Sequence, residues 1–140
     1  MKEQNIKQPD FVWIDDQFWK LTALVRSLKD EGYNYLGIES YQQALDNIDT
    51  IKVAKFLVLD IIIPPGNREY ESNENPYLGL DLLRRLRDAG VNQPVIVFTV
   101  VRELELLKQL ENEPNVVGVF KKGESKTANF VTLAKSLLHP

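Results

Sequence analysis

Four runs of almost unbroken apolar residues stand out along the chain: FVWI (11–14), FLVL (56–59), PVIVF (94–98) and VVGVF (116–120). Short continuous apolar stretches of this kind are the pattern of strands buried on both faces of a parallel sheet. NYLGI (34–38) is a weaker fifth. Between these runs the apolar positions take a helical spacing. Phe18, Leu21, Leu24, Val25 and Leu28 form one stripe, with Gly32 as its C-terminal stop. Ser40 opens S-Y-Q-Q, where the Ser side chain can cap a helix and Gln43 can reach back, so a short helix is expected to turn Ala44, Leu45 and Ile48 inward. After Gly79 comes a helix with Leu82, Leu83 and Leu86 toward the core, Arg84, Arg85 and Arg87 on its solvated faces and Gly90 at its end. A fourth, near 102–112, uses Leu104, Leu107 and Leu110; a fifth, near 126–138, uses Phe130, Val131, Leu133, Ala134, Leu137 and Leu138. Strict alternation of strand and helix predicts an α/β, doubly wound domain, a five-stranded parallel sheet with five helices on both faces. Each parallel connection needs a crossover, and such crossovers are right-handed.

Composition changes this picture little. A length of 140 residues suits one domain, expected over 1–140, with residues 1–9 as a polar tail and 65–78 as an extended loop after the third strand. A net charge of −3 gives no general attraction to nucleic acid or to an anionic membrane, so neither is expected as a direct partner. No apolar run approaches the roughly 20 residues of a membrane helix, and the opening MKEQNIKQPD lacks an apolar signal core; a cytoplasmic location is expected. With no Cys, disulfides and thiolate catalysis are excluded, and the single His139 reads as a solvated tail residue.

The chemistry lies at the strand ends. Ligands of doubly wound sheets bind beyond the carboxyl ends of the strands. There the first run meets Asp15 and Asp16, the third strand meets Asp60, the fourth Thr99, and the fifth Lys121 and Lys122. Carboxylates gathered on one rim repel, so their pKa values rise or a hard cation neutralises them, and oxygen ligands in an open site suit Mg²⁺. Such a site is suited to phosphate. Asp60 as nucleophile would form an aspartyl phosphate, with the cation and a Lys ammonium offsetting charge and Thr99 donating a hydrogen bond. Plainer readings exist for each residue alone. Asp15 or Asp16 can be a helix N-cap, Thr99 a strand former and either Lys a solvated group. Asp60 escapes this, since Ile61, Ile62, Ile63 and Pro64 follow it rather than a helix.

These residues resemble the receiver domain of two-component response regulators, from Phe11 to Leu138. VWIDD is similar to the family's acidic pair, LVLDIIIP to its phosphoacceptor Asp with D-x-x-x-P, PVIVFT to its Thr/Ser, and GVFKKG to its Lys. The resemblance implies a flavodoxin-like sheet in the order 2-1-3-4-5. It implies a phosphorelay role in which a histidine kinase or phosphotransfer protein phosphorylates Asp60 and the phosphorylated form switches contacts with a downstream protein target; a weak homodimer is compatible with it. It further implies Mg²⁺, or Mn²⁺, held by Asp15, Asp16, Asp60 and the backbone carbonyl of Ile62. Counting back from Lys122 puts Asn115 at the helix exit, where the left-handed conformation suits Asn, so Lys122 is taken as the family's Lys, with Lys121 as the register alternative.

The chain departs from the family at Val119, where an aromatic is common, at Gly123, where Pro often follows, and at Val100, where a small residue is usual. These departures put the usual Thr–aromatic coupling in question and keep open a second reading, a receiver-like interaction module that signals without phosphorylation. An enzyme of the haloacid dehalogenase-like phosphatase class would need an acid two residues after its nucleophile; Ile62 occupies that position, so the chain is expected not to be a dedicated enzyme. Flavin binding would want a Ser/Thr/Gly-rich loop in place of DDQFWK. The long connection after Pro64 reads most simply as a tolerated surface loop. The sharper expectation is a lid formed by Arg68, Glu69, Glu71, Glu74 or Tyr77.

Overall fold

A computed structural model describes residues 8–17, 22–66, 76–123 and 127–139. In chain order the elements are β1 (Phe11–Ile14), α1 (Thr22–Lys29), β2 (Tyr35–Ile38), α2 (Tyr41–Leu45), α3 (Ile48–Lys52), β3 (Phe56–Leu59), α4 (Leu78–Asp88), β4 (Val95–Thr99), α5 (Leu104–Glu111), β5 (Val116–Lys121) and α6 (Thr127–Leu138). The five strands form one sheet in the order β2-β1-β3-β4-β5, with every neighbouring pair parallel, as the resemblance implied. Ile14 pairs with Ile38 on one side and Leu59 on the other, which brings the residues just past β1 and β3 to the same edge.

The two faces of the sheet carry different cores. Alternate strand residues point opposite ways. Val12, Ile14, Leu57, Leu59 and Val97 therefore meet the aliphatic residues of α2 to α5. Phe11, Trp13, Phe56 and Phe98 meet Leu28 of α1 and Phe130 of α6. The second face is an aromatic stack: Phe11 lies on Phe56 at 5.0 Å between centroids, and Trp13 meets Phe130 at 5.4 Å and Phe98 at 6.1 Å. Of the α1 stripe, Leu28 is buried, and the side chains of Phe18, Leu21, Leu24 and Val25 fall outside the description.

Four local expectations change. The second expected helix is two short ones, so the described residues hold six helices. The break falls at Asp46–Asn47, where Asn47 Nδ2 donates to Gln43 O at 2.7 Å, a side-chain bond that competes with continued helix. Ser40 does cap α2, accepting from Gln43 N–H, but Gln43 reaches Glu39 N–H rather than that of Ser40. In α5 the inward positions are Leu106, Leu107 and Leu110, while Leu104, the first residue of the helix, is 69% exposed. Arg87 is not simply solvated. Its guanidinium donates to the carbonyls of Val91, Gln93 and Pro114 at 2.7–2.9 Å, clasping the turn after α4 to the turn before β5. Asn115 takes φ +56°, the left-handed conformation expected of it at the helix exit.

Candidate functional site at the carboxyl edge of the sheet

Each acidic residue is fixed by the strand before it. Asp15 N–H donates to Ile38 O at 2.8 Å and Asp60 N–H to Ile14 O at 2.9 Å, so the ladder bonds continue one residue past the strands. Both side chains then use one oxygen locally. Asp15 Oδ1 accepts from Gln17 N–H at 2.8 Å and Asp60 Oδ1 from Ile62 N–H at 3.1 Å, the two-residue turn that Asp side chains favour. The other oxygens face each other across Lys122, whose Nζ lies 2.6 Å from Asp15 Oδ2 and 3.0 Å from Asp60 Oδ2. Asp16, half-buried, completes the group: ligand oxygens of Asp15, Asp16 and Asp60 all lie within 4.8 Å of one another.

Burial makes these charges matter. Asp15 and Thr99 are fully buried and Asp60 nearly so. Desolvation pushes the Asp60 carboxyl above the ordinary carboxylate range, Asp15 adds to that push, and the Lys122 ammonium and the Ile62 N–H work against it. For Lys122, burial opposes the ammonium, but the two carboxylates outweigh it and hold the amine above its usual range. Thr99 ends β4 with its carbonyl accepting from Lys122 N–H at 2.7 Å and its Oγ1 accepting from Val101 N–H at 3.3 Å. Lys121 pairs with Thr99 in the ladder and lines a cleft of about 230 Å³ with Leu104, Leu107 and Val119, so the side chain brought to the carboxylates is that of Lys122.

Three residues outside the expected set, Gly79, Tyr41 and Gln42, hold the backbone that follows Asp60. Gly79 N–H donates to Ile61 O at 2.8 Å, and a Cβ at Gly79 would sit 2.2 Å from Asp60 O and 2.5 Å from Ile61 Cα. No side chain fits there. The sequence carried one signal of this, a glycine near the start of a helical run, which costs helix stability and so points to close packing; the helix in fact begins at Leu78, one residue before it. Beyond Asp60 the chain crosses toward α2, where Tyr41 N–H and Gln42 N–H donate to the carbonyls of Pro64 and Pro65, both at 3.0 Å. Among the lid residues, Arg68, Glu69, Glu71 and Glu74 lie outside the described residues, and Tyr77 donates its hydroxyl to Glu103 Oε2 at 2.7 Å.

Searches of protein-family profiles and of curated protein sequences return no match to this chain. Solved structures do match. A CheY-like response regulator receiver domain protein from Methanospirillum hungatei superposes at TM-score 0.70 with 17% identity, covering 94% of each chain. The receiver domain of a putative LuxO repressor from Vibrio parahaemolyticus gives 0.70 and 17%, covering 94% of this chain and 91% of that one. The BeF3-activated N-terminal receiver domain of RstA from Klebsiella pneumoniae gives 0.68 and 19%, covering 93% and 98%. The chain has the response-regulator receiver fold. In the receiver fold, as here, the order 2-1-3-4-5 sets the reversal of strand connection between β1 and β3, and Asp15, Asp16 and Asp60 stand at that point.

The acidic group also fits a divalent cation. Asp15 Oδ2 is buried and receives no aligned hydrogen bond, its partner being the ammonium by charge. With all three carboxylates ionised, three negative charges against one ammonium leave two, the charge of one such ion. Oxygen donors of this kind suit Mg²⁺, which keeps several waters and takes few carboxylates. Among the described residues no helix is long and apolar enough to cross a membrane.

Proposed function

We propose that the protein is a phosphoacceptor of a two-component phosphorelay, phosphorylated on Asp60 by a histidine kinase or phosphotransfer protein, and that the phosphorylated form changes its contacts with a downstream protein. The observation that carries this reading is the nearly buried Asp60 with one oxygen on Lys122 Nζ at 3.0 Å and a carboxylate pair beside it. A structural Asp has no need of burial among like charges.

Asp15, Asp16, Asp60 and the backbone carbonyl of Ile62 would hold Mg²⁺ or Mn²⁺, which when bound offsets charge on the phosphoryl oxygens. In the transfer, an Asp60 carboxylate oxygen forms the new bond to phosphorus, the phosphohistidine P–N bond breaks, and the electron pair leaves with the imidazole. Lys122 then follows the new anionic oxygens, and the Thr99 hydroxyl donates its hydrogen to one of them. Ile62 puts an apolar, 41% exposed side chain where a phosphatase of similar chemistry would need an acid, which supports a signalling module rather than a dedicated enzyme. A cytoplasmic setting and protein rather than nucleic acid partners belong to the same reading, in keeping with the net charge of −3.

Incubation with acetyl phosphate and Mg²⁺, followed by intact mass measurement, tests this. Wild type gains one phosphoryl group, while Asp60→Ala and protein stripped of divalent cations gain none. An adduct of equal yield on Asp60→Ala removes Asp60 from the role. No adduct with any donor favours the second reading, an interaction module that does not use phosphorylation, to which Val119 in place of an aromatic also points.

A further inference from the structure

The loops that carry the acidic site are tied together by two adjacent residues. Arg102 Nη1 donates to Val100 O at 2.8 Å and Nη2 to Lys122 O at 2.6 Å. These carbonyls lie just past the ends of β4 and β5, where the ladder supplies no further donor. A planar guanidinium bridges such a pair, whereas an ammonium is a point donor. Glu103 is the N-cap residue of α5 but makes no capping bond with its side chain; its carboxylate instead accepts from the hydroxyl of Tyr77, the N-cap residue of α4. Two residues on, Gly79 N–H holds Ile61 O, next to Asp60. Asp60 in turn holds Lys122 Nζ. The contacts close on themselves, running from Asp60 through Lys122, Arg102, Glu103, Tyr77, Gly79 and Ile61 back to Asp60.

We propose that Arg102 is a positioning residue that keeps Lys122 on Asp60, and that the Tyr77–Glu103 bond completes a ring through which occupation of Asp60 reaches the starts of α4 and α5. The second part rests on the phosphoacceptor reading. Val119 has neither ring nor hydroxyl with which to bond Thr99, so it offers no polar side-chain link from the site to the helices. The Arg102–Lys122 and Tyr77–Glu103 bonds of the ring are exposed, where a single hydrogen bond opens at small cost, as a two-state element requires, whereas the Gly79–Ile61 bond is buried. When a phosphoryl group draws the Lys122 ammonium, the backbone of Lys122 pulls on Arg102, and Glu103 moves with its neighbour.

Two arms test this. Without ligand, the ¹⁵N-labelled ammonium of Lys122, held by two carboxylates, gives a discrete signal in slow exchange with water. Arg102→Gln loses that signal while keeping the wild-type melting temperature and circular dichroism, and Arg102→Lys does not restore it. A Lys122 signal unchanged in Arg102→Gln overturns the positioning role. With Mg²⁺ and beryllofluoride, wild type shifts amides at Thr99 and Lys122 and also at 78–80 and 104–106; Arg102→Gln binds about tenfold more weakly. Tyr77→Phe keeps the shifts at the site and at 104–106, which Arg102 carries, and reduces those at 78–80, and shifts at 78–80 that are unchanged in Tyr77→Phe overturn the ring. If wild type shows no shift at Thr99 and Lys122, the phosphoacceptor reading falls and the signalling part with it, while the ligand-free signal still decides whether Arg102 positions Lys122.

Discussion

Asp60 and Gly79 meet at one point of backbone, and each pulls against the local rule for its position. Burial raises the Asp60 carboxyl above its ordinary value of 3.8. A group whose folded pKa lies above its unfolded value stabilises the fold in its protonated form; that contribution is complete below the unfolded value and is lost as pH rises through the folded one. At neutral pH the ionised Asp60 therefore costs stability. Asp60→Asn, which keeps an acceptor for Lys122, is expected to stabilise by about 0.5–2 kcal/mol, as substitutions at strained functional positions do. A thermal melt in chelator checks it, and a lower melting temperature would mean that the ion pair with Lys122 outweighs the burial. Gly79→Ala gives a sign test. Helix propensity alone favours Ala by about 1 kcal/mol. The Cβ, 2.2 Å from Asp60 O, makes the change destabilising by about 1–3 kcal/mol, an overpacking cost readable by urea denaturation. Asp15, Asp60, Thr99 and the Lys pair were legible as residues in the sequence because strand ends are fixed by apolar runs. Gly79's role was not, because it depends on how closely α4 approaches β3 in space. The Tyr77–Glu103 bond, 26 residues apart, left no trace in local pattern for the same reason.

Among the elements, α2 and α4 share a polar contact within an otherwise aliphatic face. Tyr41, buried on α2, donates its hydroxyl to Asp81 Oδ2 at 2.6 Å, and Arg85 Nη1 donates to the same hydroxyl at 3.3 Å. Burial and then the Asp81 carboxylate push the phenol up to about 12 from its ordinary 10.0, against the smaller effect of Arg85. The protonated phenol is the stabilising form, so its contribution is complete below about pH 10 and is lost as pH rises through about 12. The stability difference between wild type and Tyr41→Phe is expected to shrink over that window; a difference that stays constant between neutral and strongly alkaline denaturation series would contradict the raised pKa. Helix phase was the weaker part of the sequence signal. Leu104 and Leu106 are both apolar, and periodicity alone does not say at which residue α5 begins. The break between α2 and α3 had a sign in Asp46–Asn47, two residues whose side chains compete for backbone groups. Arg87 read as solvated because the carbonyls it clasps belong to turns that a helical pattern does not include.

For the whole molecule, folding creates the acidic site, since its residues come from β1, β3 and β5 and converge only when the sheet forms. A cation that binds this site binds the native state alone. Mg²⁺ at a hundredfold excess over its Kd should then add about 2.7 kcal/mol to the unfolding free energy. Asp15→Asn, which leaves the sheet in place, should remove most of that gain; calorimetry with and without chelator gives both values. Topology was the most legible level. Alternating apolar runs and helical stripes, with the right-handed rule for crossovers, give a doubly wound parallel sheet, and the strand order 2-1-3-4-5 was implied by the resemblance to receiver domains.

The unequal cores on the two sides of the sheet decide what light reports about this protein. In a Trp19→Phe chain, Trp13 is the remaining tryptophan, and it lies fully buried against Phe98 and Phe130 beneath α6. Its emission senses the aromatic side alone, whereas Asp81, Arg85 and the start of α4 lie on the other. A fluorescence melt follows the loosening of one half of the molecule, and comparison with backbone dichroism would show whether the two halves come apart together.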